Sequence, residues 1–283
     1  MATRYAILGH PCKDITPASP RGFRWGGGVI YSGWTAVRLG ARVQVLTCCE
    51  PHPELEKLDE RMHWFIQPDN KITTYDNRYH PVTGARQQWI RARACDIPLT
   101  RLAELPEVPD IVHLAPVADE VRVAELPELP DTVWLVATPQ GWMRRFDPDG
   151  RVRRKPWQES QQLLPHLKAL VLSHEDVKED IALVRAYAAE GPTVLYTLGP
   201  DGALLMHAGQ ETRIPAAPSQ PVDLTGAGDV TAAAFFTHWY KTGDPVQAAL
   251  YSMLAAAIAI ESPGAENLPT RATIAQRQLS WPL

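Results

Sequence analysis

The chain has 283 residues, of which 45% are hydrophobic and 21% charged, and a formal net charge of −4. That length suits one large α/β domain or two small ones, the composition is that of an ordinary globular protein, and the mild negative charge supplies no electrostatic case for a nucleic acid or an acidic membrane as partner. The most apolar stretch, Ala248 to Ile260, contains Tyr251 and Ser252 and falls short of a spanning length, so it reads as a buried helix. Four cysteines, Cys12, Cys48, Cys49 and Cys95, show no metal-ligand spacing. The adjacent pair is an awkward start for a disulfide, so a reducing, cytoplasmic setting is expected. The first residues lack a long apolar run, and no signal peptide is expected.

In chain order, Tyr5 to Leu8 is a short apolar run ending at Gly9, the pattern of a buried first strand. Gly26, Gly27 and Gly28 precede Val29 to Leu39, where Ile30, Trp34 and Val37 fall at helical spacing and Gly40 closes the helix as a C-cap. Val43 to Thr47 is the next strand, giving the strand, helix, strand order of a parallel sheet with helices on its faces. Between Lys71 and Ala92 the pattern changes to two β-rich runs around His80-Pro81-Val82-Thr83-Gly84, a hairpin whose polar residues on both faces place it outside the core, as a flap over a site. An echo, Ala103 to Asp110 and Ala124 to Asp131, reads as two loops that feed neighbouring strands. Ala169 to Leu172 and Thr193 to Thr197 are strands with a helix from about Val177 to Ala189 between them. A helix from Asp229 to about Lys241 stops at Gly243. Another begins with Asp244 as N-cap, Pro245 at its first position and Gln247 completing a capping box, and runs to about Glu261.

The most informative segment is 223 to 229, Asp-Leu-Thr-Gly-Ala-Gly-Asp, which runs directly into that helix. Backbone N–H groups of Gly226, Ala227 and Gly228 at a helix N-terminus favour an anion, and Asp229 beside it is placed to take a proton from an attacking hydroxyl. The plainer reading is a tight turn followed by a first-turn acid that complements the helix dipole. The segment resembles the C-terminal signature of the ribokinase, or PfkB-type, carbohydrate kinases, Asp-Thr-x-Gly-Ala-Gly-Asp, with Leu224 where the family usually has Thr. The resemblance implies a ribokinase-like three-layer α/β/α sandwich with a mostly parallel central sheet and a small β lid. In that scheme Asp229 is the catalytic base, and Gly226, Ala227 and Gly228 form the anion hole.

The rest of the chain offers further matches. Asp14 lies just past the first strand, where open α/β sheets bind ligands, and a carboxylate can accept hydrogen bonds from vicinal hydroxyls. Gly26 and Gly27 stand where the family has its N-terminal Gly pair, but the Asn that follows there is replaced by Tyr31. Thr197, Gly199 and Gly202 resemble the family's Thr-x-Gly-x-x-Gly stretch along the nucleotide; a plain hairpin is the alternative. Ser173 to Asp176 stands at the family's Asn-x-x-Glu, so Asp176, with Glu175 as the close alternative, is the candidate to hold Mg²⁺ through water, against a solvated acidic loop. Ser173 and Thr225 join the candidate donor-binding residues. Gln140 and Arg144, just after the strand Val133 to Ala137, and Asn77 in the flap are candidate substrate contacts.

The expectation is therefore one domain over 1–283, with a lid from about 70–93 and 11–25, that phosphorylates a small sugar or cyclic polyol with ATP and Mg²⁺. Features of the flap and the triple glycine look most like the myo-inositol kinase branch. The alternatives are a nucleoside or other sugar kinase, with Trp25 and Tyr31 as base-stacking residues, and a catalytically silent nucleotide-binding homologue. No nucleic-acid or membrane partner is expected. An exposed flap edge can pair two subunits, which makes a homodimer the assembly to look for.

Overall fold

The computed structural model describes residues 2–16, 19–79, 86–123, 126, 128–265 and 267–281. From the N-terminal side, β1 (Arg4–Leu8), β2 (Cys12–Ile15) and β3 (Phe23–Gly26) lead into helix α1 (Gly28–Arg38) and β4 (Arg42–Cys49). A short helix α2 (Pro53–Glu56) and β5 (Met62–Pro68) precede β6 (Thr73–Tyr79) and β7 (Arg86–Ala92). Next come β8 (Ile97–Pro98), β9 (Ile111–Leu114), β10 (Val121–Arg122), β11 (Trp134–Ala137), β12 (Arg144–Phe146) and β13 (Val152–Arg154). They are followed by α3 (Ser160–Leu163), β14 (Ala169–Ser173), α4 (Ile181–Ala189), β15 (Thr193–Thr197), β16 (Ala203–His207) and β17 (Gln210–Ile214). Helices α5 (Ala227–Thr242), α6 (Pro245–Ala259) and α7 (Arg271–Ser280) come last.

Nine strands form the main sheet in the order β17-β16-β15-β14-β11-β9-β1-β4-β5. From β5 to β15 every neighbouring pair is parallel, and β16 and β17 add an antiparallel edge. The inner strands are largely apolar on both faces, as in Ala169 to Leu172 of β14, where all four residues are buried; this is the composition of a sheet covered by helices on both sides. One face packs against α1, α5 and α6 through residues such as Ile30, Val37, Phe235, Phe236, Trp239 and Leu254. Ala232, Ala233 and Ala234 let α5 approach closely, and all three are fully buried. The opposite face is covered by a second core that includes Trp142, Trp157, Leu163 and Val184. Three layers result, with all seven parallel strands ending at one edge.

A second sheet of four strands runs β3-β2-β6-β7. β2 pairs with β3 and β6 with β7 antiparallel, while β2 and β6 join the two hairpins in parallel. Asp14, expected in a loop after β1, is thus a residue of this second sheet. The His80 to Gly84 turn lies outside the described residues.

Several local expectations change. α4 starts at Ile181 rather than near Val177, because Lys178 (φ 50°) and Glu179 (φ 63°) adopt left-handed backbone that a helix cannot continue, and Asp180 caps the new start by accepting from the Leu183 N–H at 3.1 Å. Asp244 accepts from both Val246 and Gln247 N–H groups, at 2.9 and 3.1 Å, without a return bond from Gln247. The reciprocal capping box is found instead at Thr270 and Thr273, opening α7. That helix had no periodic signal to reveal it, since only Ile274 is buried. The second copy of the echo falls partly outside the described residues (124, 125 and 127), but the apolar runs after the two copies are the adjacent parallel strands β9 and β11.

The cysteine reading is also corrected: Cys48 and Cys95 form a disulfide, with Cα atoms 5.8 Å apart. Adjacency to Cys49 is no obstacle, because successive residues of β4 point to opposite faces of the sheet. The bond ties the end of β4 to the segment leaving β7, and the cysteines no longer argue for a reducing compartment. Cys95→Ser is expected to cost about 2–4 kcal/mol of stability, the usual scale for a disulfide that closes a loop of some length. Urea unfolding with and without reductant measures it, and equal midpoints for the oxidised wild type and the variant would disprove the estimate. Among the described residues, no helix is long and apolar enough to cross a membrane.

Candidate active site

The parallel strand ends, the start of α5 and the inner edge of the four-stranded sheet converge on one cleft. Gly226, left-handed at φ 79°, is the N-cap of α5 and, having no side chain, leaves the helix start without a side-chain cap. The Ala227 N–H is returned to the Leu224 carbonyl at 3.3 Å. Those of Gly226, Gly228 and Asp229 have no acceptor among the described residues. Ala227 was counted among the anion donors from sequence; in the fold Asp229's own amide stands in the set of open donors. Asp223 braces the turn from below, accepting from Thr225 N–H at 2.9 Å and Gly264 N–H at 3.0 Å, and faces Arg24 of β3 at 3.5 Å.

Asp229 occupies the first turn of α5. Burial pushes its carboxyl up to about 7; the Arg144 guanidinium opposes that shift, and the carboxylates of Asp176 and Asp14 add to it. A carboxylate with this affinity for a proton is poised to act as a base near neutrality. The glycine run makes room for it: a Cβ on Gly28 would lie 3.4 Å from Asp229 Oδ1 and 2.9 Å from Ala115 Cβ, and one on Gly26 would overlap the Asp14 carboxylate. Gly27, at φ 89°, begins α1 between them.

Asp14 is joined to a polar chain. Asn77 of β6 donates to Asp14 Oδ1 at 3.3 Å, and Gln88 of β7 donates to Asn77 Oδ1 at 2.9 Å. Gln87 and Gln88 then line a cleft of about 230 Å³ with Gln140, Met143, Arg144, Arg151, Arg153, Arg154, Glu175 and Asp176. Arg144 donates to the Val117 carbonyl at 2.9 Å and lies 5.6 Å from the centre of the Tyr75 ring, whose hydroxyl donates to the same carbonyl at 2.6 Å. Asp176 accepts from both N–H and Oγ–H of Ser173 at 2.9 Å and from Gln140 at 3.3 Å, whereas Glu175 is exposed. With one oxygen of Asp176 already taken twice, this pair suits a hydrated cation held through its waters better than direct coordination.

Thr197, Gly199 and Gly202 end at the same edge. A Cβ on Gly199 (φ 59°) would lie 3.6 Å from the His174 ring, and Gly202 (φ 83°) closes the turn from β15 to β16, its carbonyl accepting from Leu198 N–H at 2.7 Å. A Cβ on Gly202 would overlap the Ile214 carbonyl, which accounts for that glycine by packing alone. Of the residues assigned to the site from sequence, Gln140, Arg144, Glu175 and Asp176 line the cleft, and Arg144, Asp176 and Asp14 lie near enough to act on the Asp229 carboxyl.

Sequence reasoning passed over Gln87, Gln88, Tyr75 and the basic run Arg151 to Arg154. The available signal for the last was a turn-rich Asp147-Pro148-Asp149-Gly150 between two arginine-bearing segments, which fold as the antiparallel pair β12 and β13. Arg153 is partnered by Asp147 at 3.1 Å, but Arg154 has no carboxylate partner among the described residues.

Residues 137–271 match the pfkB family carbohydrate kinase profile. Comparison with curated proteins gives no match. The fold is similar to that of a pyrophosphate-dependent kinase in the ribokinase family, solved as a sulfate complex, with a TM-score of 0.81 at 20% identity over 96% of this chain and 99% of that one. It is similar to a pyrophosphate-dependent kinase of the ribokinase family complexed with a pyrophosphate analog and myo-inositol, at 0.79 and 20% identity over 96% and 99%. Ribokinase of Arabidopsis thaliana, complexed with ribose and ATP, gives 0.69 at 16% identity over 98% and 99%. The ribokinase-like α/β fold, with its large, mostly parallel sheet, is thereby established.

Proposed function

From a chain whose residues 137–271 belong to the pfkB family of carbohydrate kinases, we propose that the protein transfers a phosphoryl group to a hydroxyl of a small cyclic polyol or sugar, with Asp229 as the base. The observation that carries this reading is the raised affinity of Asp229 for a proton, to about 7, at a helix start whose neighbouring N–H groups are open. In-line transfer needs positioning and charge stabilisation more than covalent help from the protein. The open amides and Arg144 stabilise the transferred group, and the four-stranded sheet screens the cleft from water. Asp176 and Glu175 would hold Mg²⁺ through water, and its contribution when bound is to neutralise phosphate charge.

A polyol suits the acceptor side because Asp14, Asn77 and Gln88 form a line of hydrogen-bond acceptors and donors. The nucleoside reading loses its aromatic residues: the Trp25 indole N–H donates to Glu54 at 2.9 Å while its ring is packed edge-on by Phe23 and His52, and the Tyr31 ring lies against Gly226. Myo-inositol is the first acceptor to try, since one structure of similar fold was solved with it.

For the donor, ATP follows from the Thr197 to Gly202 resemblance. Pyrophosphate is the second reading, favoured by the cleft walled by Arg144, Arg151, Arg153 and Arg154, which matches a small, highly charged donor. Phosphate transfer is measured with each donor against myo-inositol, other cyclic polyols, ribose, fructose, adenosine and inosine. Transfer to a polyol or sugar is the expected result. Phosphorylation of nucleosides alone, or no transfer with either donor, would reject the proposal.

A further inference from the structure

Two consecutive residues of α1 grip the two ends of the anion turn. Ser32 Oγ donates to the backbone carbonyl of Asp229 at 2.9 Å. Tyr31, only 3% exposed, lays its ring on the α-carbon of Gly226, so closely that a Cβ there would overlap three of the ring's carbons. Gly226 is the left-handed residue that sends the chain into α5, and its position sets where the open N–H groups point. Packed aromatic faces resist displacement because a gap of even half an ångström forfeits much of the contact energy.

The other end of the same side chain lies in the field of the carboxylates around the turn. The Tyr31 hydroxyl makes no hydrogen bond to the described residues, and its electrostatic neighbours are Asp14, Asp223, Asp229 and Arg24. Burial, followed by the negative charge of those three aspartates, raises its pKa, so the hydroxyl stays protonated and is a donor. A neutral donor among carboxylates complements them: they accept from a polyol's hydroxyl protons, and the phenol gives to a polyol oxygen.

We propose that Tyr31 is a positioning and specificity-determining residue of the phosphoryl-transfer site, whose ring fixes the Gly226–Asp229 turn and whose hydroxyl hydrogen-bonds the polyol acceptor. The proposal rests on the kinase reading given above and assigns the two ends of one side chain to separate kinetic parameters. Tyr31→Phe keeps the ring and removes the donor; it is expected to raise the acceptor KM about tenfold, the scale of one lost hydrogen bond, while kcat changes by less than about threefold and the donor KM stays put. Tyr31→Leu removes the planar face; it is expected to lower kcat by at least about tenfold, because the donor N–H groups lose their fixed aim. Should Tyr31→Leu fail to fold, Tyr31→Met, of similar volume but without the face, takes its place.

Wild-type transfer activity and its loss in Asp229→Asn are measured alongside, and absence of both overturns the kinase reading and this proposal with it. In an active wild type, an unchanged acceptor KM in Tyr31→Phe overturns the role of the hydroxyl. An unchanged kcat in the Leu or Met variant overturns the role of the ring. A variant that loses only melting temperature, with both parameters intact, shows Tyr31 to be ordinary packing and sinks the whole assignment.

Discussion

Asp229→Asn is expected to lower turnover by about two to four orders of magnitude, the usual contribution of a general base, and to raise the melting temperature at pH 7 and above. Asparagine keeps the shape of the side chain but can neither take a proton nor carry charge. The stability effect follows from linkage. The folded pKa of Asp229, about 7, stands above the carboxylate's ordinary value near 4, so between those pH values the folded state holds a proton that the unfolded state has released. The slope of stability with pH is negative in that window. The contribution is complete below about pH 4 and is lost as pH climbs through 7, where the buried group must ionise. The asparagine variant has no such loss, so its advantage in melting temperature should open between pH 4 and 7 and then level off. Calorimetry across pH 4 to 8 tests this, together with kcat/KM of the wild type, whose acid limb should have its midpoint near 7. A melting-temperature difference that is flat with pH, or near-normal turnover in the variant, would remove Asp229 from the role given to it.

Gly226→Ala should be nearly as damaging to activity and far more damaging to stability than the same change two residues on. At Gly226 the backbone sits at φ 79°, and the added methyl would overlap the buried Tyr31 ring. Left-handed backbone costs a residue with a Cβ roughly 1–2 kcal/mol, and displacement of either the ring or the turn comes on top of that. A displaced turn re-aims the open N–H groups, and loss of one such donor costs about 10²–10³ in turnover in well-studied acyl-transfer sites. Gly228 is the control. Its φ is not positive, and a Cβ there would meet nothing within 4 Å, so Gly228→Ala should leave the melting temperature unchanged or slightly higher, alanine being the better helix former. Equal melting temperatures for the two variants would contradict the packing of Tyr31 on Gly226.

The glycine turn at the start of α5 was legible in the sequence because all its parts are local. A glycine that must be left-handed, a helix start and a first-turn acid fall within five residues, and no distant contact is needed to bring them together. The parallel core was legible for a related reason: strands such as β14, with Ala169 to Leu172 all buried, are covered on both faces, and that condition writes an unbroken apolar run. The substrate side was less legible. Asp14 was picked for its place after the first strand, but the fold puts it in a second sheet, paired to β6 across some sixty residues of chain, where Asn77 and Gln88 extend its hydrogen-bonding line. The lid was expected to include 11–25, but the parallel pairing of β2 with β6 that carries Asp14 to Asn77 is a contact between distant segments.

The arginines of the cleft illustrate the same limit. Arg151 to Arg154 carry no local signal for a site, and they line the cleft only because β13 pairs with β12 and stands opposite β7. Tyr31 looked like a departure from the family pattern and a possible base-stacking residue; the α1–α5 packing turns its ring onto Gly226 instead. The sequence by itself determined the α/β layering, the glycine turn that opens α5 and the acid in its first turn, since each depends on periodicity or on neighbours along the chain. Only the tertiary structure decided the Cys48–Cys95 bond, the strand order of the four-stranded sheet, the arginine wall and the proton affinity of Asp229. Those depend on burial and on charges that come near one another only when segments far apart in the chain are packed together.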